Sequence, residues 1–123
     1  MKFIKLWAPV ILWGGLIFYL SSIPFLKTGL RYDFILRKFA HVFEYFILTL
    51  LLYRAFRGTF QWNIFHVVAS SSVVSLLYAI SDEIHQAFVP GRGCSARDVF
   101  IDAIGIAAFF LFFSLSIRDR KGT

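Results

Sequence analysis

The sequence predicts an all-α fold, a polytopic membrane protein built as a bundle of four transmembrane helices. Three observations carry this. The chain is 59% hydrophobic and 20% aromatic with only 16% charged residues, where soluble chains are about half apolar and about a quarter charged. The apolar residues gather into four stretches, at about residues 6–23, 39–56, 62–80 and 99–117, each near the ~20 residues a helix needs to cross a ~30 Å hydrocarbon core. Membrane strands would be half as long and alternate in polarity. At 123 residues, with no repeat, low-complexity segment or long linker, one domain over 1–123 is expected.

The first stretch follows Lys2 and Lys5 and superficially resembles a signal peptide. Its end, "YLSSIPF", lacks a small-x-small cleavage site and runs into Pro24, so it reads as a retained helix. Trp7 and Trp13 are read as interface anchors. The second stretch opens with "KFAHVFEY", in which Lys38, His41 and Tyr45 fall on one stripe with Glu44 beside His41, because residues three and four apart are helical neighbours. The third carries Ser70, Ser71, Ser72 and Ser75, expected to let helices approach closely, and His66 reads as an interfacial histidine. It leads into "SDEIHQAFVPGRGCSARD", in which Asp82, His85 and Gln86 share a helical face with Glu83 at its border. Pro90, Gly91 and Gly93 make a turn that is expected to hold Arg92 over the acids. The fourth begins "DVFIDAIG", with Asp98 and Asp102 four apart and Gly105 continuing the stripe beside Ala103, Ala107 and Ala108. Its phenylalanines, including "FFLFF", are expected to face lipid.

Four spans place both ends of the chain on one side with the short loop "RAFRGTFQ". The loops at 24–38 and 81–98 lie opposite. Lys2, Lys5, Arg54, Arg57, Arg118, Arg120 and Lys121 sort with the termini and the other six bases oppose them, which favours cytoplasmic termini. Asp33, Glu44, Asp82, Glu83, Asp98 and Asp102 all fall on the opposite face; Asp119 alone does not. Three helix ends thus deliver ionisable groups to one membrane face, and with cytoplasmic termini that face is extracytoplasmic. Glu44 and Asp102 lie about a turn inside apolar spans, where a carboxylate costs roughly a few kcal/mol unless it meets a polar cavity or a partner. The net charge of +6 comes from bases at helix ends, which suits anionic headgroups and not nucleic acid. The single Cys94 has no partner in the chain for a disulfide and reads as an incidental loop residue.

Lys38-x-x-His41-x-x-x-Tyr45, Glu83-x-x-Gln86, Pro90-Gly91-Arg92 and Asp98-x-x-x-Asp102-x-x-Gly105, in that order, resemble the VanZ-like family. These are small bacterial membrane proteins named for a teicoplanin-resistance factor. The likeness runs from the second helix to the end. At the position of Asp102 many relatives resemble one another in carrying Asn, so this chain holds an extra acid there. The resemblance implies a multi-pass protein of the bacterial cell membrane, linked in some members to glycopeptide resistance. It does not supply a reaction.

Three readings of the cluster stay open. In the structural one, Lys38, Arg92 and Arg97 neutralise Glu44, Glu83, Asp98 and Asp102 and fasten the helix ends. In the binding one, Lys38, His41, Glu44, Tyr45, Asp82, Glu83, Gln86, Arg92, Asp98 and Asp102 form a pocket for a membrane lipid or a lipid-linked envelope precursor. There Arg92 would clamp phosphate or carboxylate, and the acids would take hydroxyls or amines. In the enzymatic one, His41 or Glu83 acts as base with Asp98 or Asp102 as acid or orienting group. Asp82, Glu83, Asp98 and Asp102 could as oxygen ligands suit Mg²⁺, Mn²⁺ or Ca²⁺, but no H-E-x-x-H is present, and no metal or cofactor is assigned. The leading expectation is a pocket that binds or modifies an envelope component. An intramembrane enzyme and a structural partner of another membrane protein are the alternatives.

Overall fold

The computed structural model describes residues 2–22, 33–89 and 96–121. They form four helices: α1 (Lys2–Ser22), α2 (Asp33–Thr59), α3 (Ile64–Ala87) and α4 (Ala96–Lys121). All four contain windows long and apolar enough to cross a membrane, and no strand occurs among the described residues. The segment from Ser81 to Ala87, expected in a loop, is the last two turns of α3. Its period-3.6 face therefore holds through the acidic stretch. At the other end of α3, Asn63 caps the helix, its side chain accepting from the backbone N–H of His66 at 2.9 Å. His66 is exposed, and its ring Nδ1 lies 2.8 Å from the same Asn63 oxygen.

Helix α2 touches all three others, α3 does the same, and α1 and α4 do not meet. The section is a rhombus with α2 and α3 on its short diagonal. Ile17, Tyr45, Leu48, Leu52, Ala79 and Ile106 form the core where the helices converge. Outside it, large apolar side chains are laid bare: Ile11 is 71% exposed, Leu12 73%, Phe100 73%. An exterior that apolar is stable only against lipid tails.

Lipid tails are as apolar as leucine, so burial of greasy surface does little to press these helices together; close approach and hydrogen bonds do. Gly105 provides the closest approach. A Cβ there would run into the carbonyl of Val42 and come within 3.1 Å of the Phe46 nitrogen, so α2 and α4 meet backbone to backbone. Trp13 corrects its sequence reading: its indole N–H donates to the Glu44 carbonyl at 2.9 Å, pinning α1 to α2 instead of anchoring an interface. Trp7 donates to Thr59 Oγ1 at 2.7 Å near the terminal face. There Trp62, exposed between α2 and α3, stacks on Phe60 at 4.3 Å. Phe109 is a second correction. It is 1% exposed, edge-on to Phe46 and tilted against Tyr53, while Leu111 and Phe112 do face outward.

Candidate functional site

The start of α2, the end of α3 and the start of α4 lie at one end of the bundle, and their polar residues descend from it in steps. Successive helical residues rise about 1.5 Å, so each three- or four-residue interval sinks the next group by roughly 5–6 Å. At the top Lys38 donates to Asp98, joining α2 to α4, and both side chains keep some solvent access. One turn deeper His41 Nδ1 meets Asp102 Oδ1 at 2.8 Å. Asp102 is fully buried and the His41 side chain is 14% exposed. With Asp102 ionised the carboxylate only accepts, so Nδ1 carries the hydrogen and the second ring nitrogen is left as the basic one.

A further turn down α2, the seam crosses to α3. The Tyr45 hydroxyl donates to Asp82 Oδ2 at 3.4 Å, and Gln86 Nε2 reaches the same oxygen at 3.5 Å. Both distances are at the long limit of a hydrogen bond. Below them Thr49 Oγ1 bridges the Tyr45 carbonyl at 2.7 Å and Ser75 Oγ at 2.9 Å. Tyr45, Thr49, Ser71, Ser75 and Asp102 are all closed off, and Asp82, Glu83 and Gln86 are at most 3% exposed. Of the serines expected between helices, Ser71 and Ser75 are buried and Ser75 bonds across to Thr49, while Ser71 and the half-buried Ser72 turn their hydroxyls back onto the Val67 and Val68 carbonyls.

The carboxylates are not saturated. Asp82 Oδ1 and Asp102 Oδ2 are buried oxygens with no hydrogen-bond partner among the described residues. A buried polar atom without a partner costs on the order of 1–3 kcal/mol, more when charged. Such atoms mark either strain or a place for a donor that the protein does not itself supply.

Helix α1 was absent from the sequence reading of this cluster, which drew on three helix ends. It contributes a fourth. Ser21, 3% exposed, accepts from Gln86 Nε2 at 3.1 Å. Ser22 Oγ lies 2.9 Å from His85 Nε2, and Phe18 stacks on the His85 ring at 4.1 Å. His85 thus leaves the acids it was grouped with and forms a rim between α3 and α1. The pair of serines at the end of the first apolar stretch was the available signal; Thr49, four residues past Tyr45 on the same stripe, was another. Glu44 is partly buried beside the α1–α2 pin. Arg97 is exposed. Arg92 and Cys94 lie outside the described residues. No group of three or more His, Cys, Asp and Glu side chains that could hold a metal ion occurs among the described residues.

Comparison with known proteins gives this arrangement a family. The VanZ/LLP1 family model matches residues 6–117, which include every residue of the seam. An uncharacterized membrane protein of Bacillus subtilis (strain 168), YwnJ, is 34% identical over 86 residues, covering 70% of this chain and 54% of that protein. The chain thus spans about half the length of this curated relative. No solved structure matches significantly. Four membrane-length helices and a model match over nearly the whole sequence lead to one conclusion: this multi-pass membrane protein belongs to the VanZ/LLP1 family.

Proposed function

We propose that the protein holds the polar head of a membrane lipid or lipid-linked envelope precursor in the seam at the extracytoplasmic face, and that this alters how glycopeptide antibiotics meet their targets. One observation carries the reading: Asp82 and Asp102, buried among apolar helices, each keep an oxygen without a donor among the described residues. A head bearing hydroxyl or amine hydrogens supplies those donors, and intramembrane carboxylates are costly enough to be kept for function. The link to glycopeptides rests only on what the resemblance to the VanZ-like family implies; the family match itself is to VanZ/LLP1. The test is teicoplanin tolerance in a strain that shows it, with membrane abundance measured for Asp82→Asn, Asp102→Asn and His41→Ala. Tolerance lost at unchanged abundance supports the pocket. Tolerance that falls only in step with abundance returns the cluster to a structural fastening.

A second reading is favoured by the His41–Asp102 pair. A buried carboxylate orienting a histidine through Nδ1 is the arrangement that prepares the other ring nitrogen as a general base. An enzyme acting on the lipid-linked substrate would use it to take a hydroxyl or water proton. A His41→Gln protein that still co-purifies with lipid but loses tolerance selects the enzyme; loss of both selects the binder.

A further inference from the structure

Helix α1 is fastened in two unequal halves. The first is held firmly to α2: Leu6 lies against Gly58, Trp7 donates to Thr59, and Trp13 donates to the Glu44 carbonyl. Past Gly15 the hold is lighter. Of residues 16–22 only Ile17 and Ser21 are buried, while Leu16, Phe18 and Tyr19 are laid bare. The polar contacts of this half are at its tip, and they bear on the seam. Gln86 Nε2 is shared between Ser21 Oγ at 3.1 Å and Asp82 Oδ2 at 3.5 Å, so Ser21 covers the Asp82 carboxyl from the α1 side. Beside it, Ser22 and the Phe18 ring close on the half-buried His85.

Between the halves stand Gly14 and Gly15, and no neighbour requires either. A Cβ on Gly15 would meet nothing within 4 Å, and one on Gly14 would come no closer than 3.5 Å to the Tyr78 hydroxyl, an ordinary contact. Gly58 and Gly105 differ, since a Cβ there would strike the Leu6 side chain or the Val42 carbonyl. Paired small residues are where helices bend, because a backbone without Cβ has room to turn. A bend at this pair opens the turn that joins the Gly14 carbonyl to the Phe18 amide, four residues on. Inside a membrane a carbonyl so freed needs a neighbouring donor. Gly14 already has one: the Tyr78 hydroxyl reaches across from α3 and donates to it. Ile17 adds little resistance, because lipid tails are as apolar as the core it would leave.

We infer that α1 bends at Gly14 and Gly15 and that residues 16–22 are a gate over Asp82, swinging towards lipid to admit a polar head; this rests on the head-binding reading of the seam. That reading needs an entrance, because Asp82 and Asp102 are at most 3% exposed. Helix α1 is the one placed to open. It does not meet α4, so its tip can leave without touching the Lys38–Asp98 and His41–Asp102 contacts that join α2 to α4. The exchange of partners also balances. An arriving head gives a hydrogen to Asp82 Oδ1, which has no partner in the closed arrangement, and its oxygen takes the Gln86 hydrogen that Ser21 gives up. The half past Gly15 is about 10 Å long by helical rise, so a bend of about 30° carries its tip about 5 Å and Tyr19 about 3 Å.

The test measures distances between spin labels by double electron–electron resonance in the full chain, with Cys94→Ser as background. One protein carries labels at Tyr19→Cys and Phe100→Cys, above the bend on α1 and α4; a second carries them at Leu12→Cys and Leu111→Cys, below it. All four positions are exposed. Nanodiscs hold either phosphatidylethanolamine with phosphatidylglycerol, whose heads bear ammonium or hydroxyl hydrogens, or phosphatidylcholine, whose head bears neither. Native mass spectrometry of the unlabelled protein, from discs mixing all three, reads which lipid it retains. In the first bilayer the upper pair is expected to show a second distance longer by about 3 Å, and in phosphatidylcholine the shorter one alone. The lower pair is expected to show one distance in both. The double variant Gly14→Ala/Gly15→Ala and, separately, Tyr78→Phe are expected to lose the longer distance while melting temperature and elution volume show a folded protein. Lengthening of both pairs together makes α1 a rigid rod and overturns the bend, as does a longer distance that survives in both variants. A single upper distance in every bilayer, with phosphatidylethanolamine or phosphatidylglycerol still preferentially retained, overturns the gate while the head-binding reading stands. A longer distance equally populated in phosphatidylcholine, with no lipid preferentially retained, overturns the head-binding reading and the gate's role with it.

Discussion

Cutting away the carboxyl of Asp102 strands His41 in a place that water does not reach, since the Asp102 side chain is fully buried and His41 only 14% exposed. Losing one partner of a buried pair costs about 3–5 kcal/mol, because the survivor stays desolvated and uncompensated. Asp102→Ala is expected to destabilise the protein by that order, read as a fall in melting temperature in detergent. Asp102→Asn keeps the volume and a hydrogen bond to Nδ1 and should lose roughly 1–2 kcal/mol at most. The pair above it behaves differently. Lys38 and Asp98 are 25% and 19% exposed, so water screens them, and Lys38→Ala is expected to cost about 1 kcal/mol or less. A Lys38→Ala protein as unstable as Asp102→Ala would contradict this gradient of burial. Asp102 could be singled out in the sequence because a carboxylate one turn inside an apolar run has few inexpensive surroundings. Ser21 was harder to single out, since a pair of serines at a helix end is only a weak signal until the helix facing it is known.

Helices meet here at glycines, and what each glycine faces ranks the damage of adding a methyl. At Gly105 the new Cβ strikes the Val42 carbonyl, backbone that cannot swing aside, so α2 and α4 must separate along their whole contact. At Gly58 it meets the Leu6 side chain, whose end can turn away at modest cost. At Gly15 it meets nothing. Gly105→Ala is therefore expected to abolish the well-packed state or cost about 3 kcal/mol or more, Gly58→Ala about 1 kcal/mol, and Gly15→Ala nothing measurable. Thermal stability and membrane abundance of the three variants check the order, and a Gly105→Ala protein as stable as Gly15→Ala would refute it. The stripe from Asp98 through Asp102 to Gly105 was legible because helical spacing alone puts those residues on one face. That Val42 lies opposite was not, because spacing within a helix says nothing of the rotation of its neighbour. Trp13, read as an interface anchor, and Phe109, read as lipid-facing, were misread for the same reason: residue type alone does not show what a side chain packs on, and only the packed bundle shows an indole N–H spent on the Glu44 carbonyl and a ring enclosed by Phe46 and Tyr53.

The orientation of the whole bundle decides whether the seam meets the cytoplasm or the exterior, and it hangs on few charges. Seven of the thirteen Lys and Arg residues sort with the termini and six with the seam. Orientation follows Lys and Arg near the ends of the spans, while acids contribute little, so the six carboxylates on the seam side do not offset its bases. The termini are accordingly expected in the cytoplasm, and a phosphatase joined after Thr123 should be silent while a cytoplasmic reporter at the same point is active. An active phosphatase fusion would invert the assignment and put the seam inside. The narrow margin has its own consequence. Arg54 and Arg57 stand at the exposed end of α2, where Arg57 leans on Tyr53, donating to its hydroxyl at 2.8 Å. Exchanging both for Gln touches no buried contact of the bundle, yet it leaves five bases with the termini against six opposite. Such a protein is expected to insert in both orientations, so that the phosphatase and the cytoplasmic reporter each give partial signals. If the double variant instead keeps the wild-type reporter pattern, the charge bias is not what orients the bundle. The lopsided burial of the seam residues would then be left as the determinant, because carrying Asp82 and Asp102 across the hydrocarbon core costs more than moving one arginine at its edge.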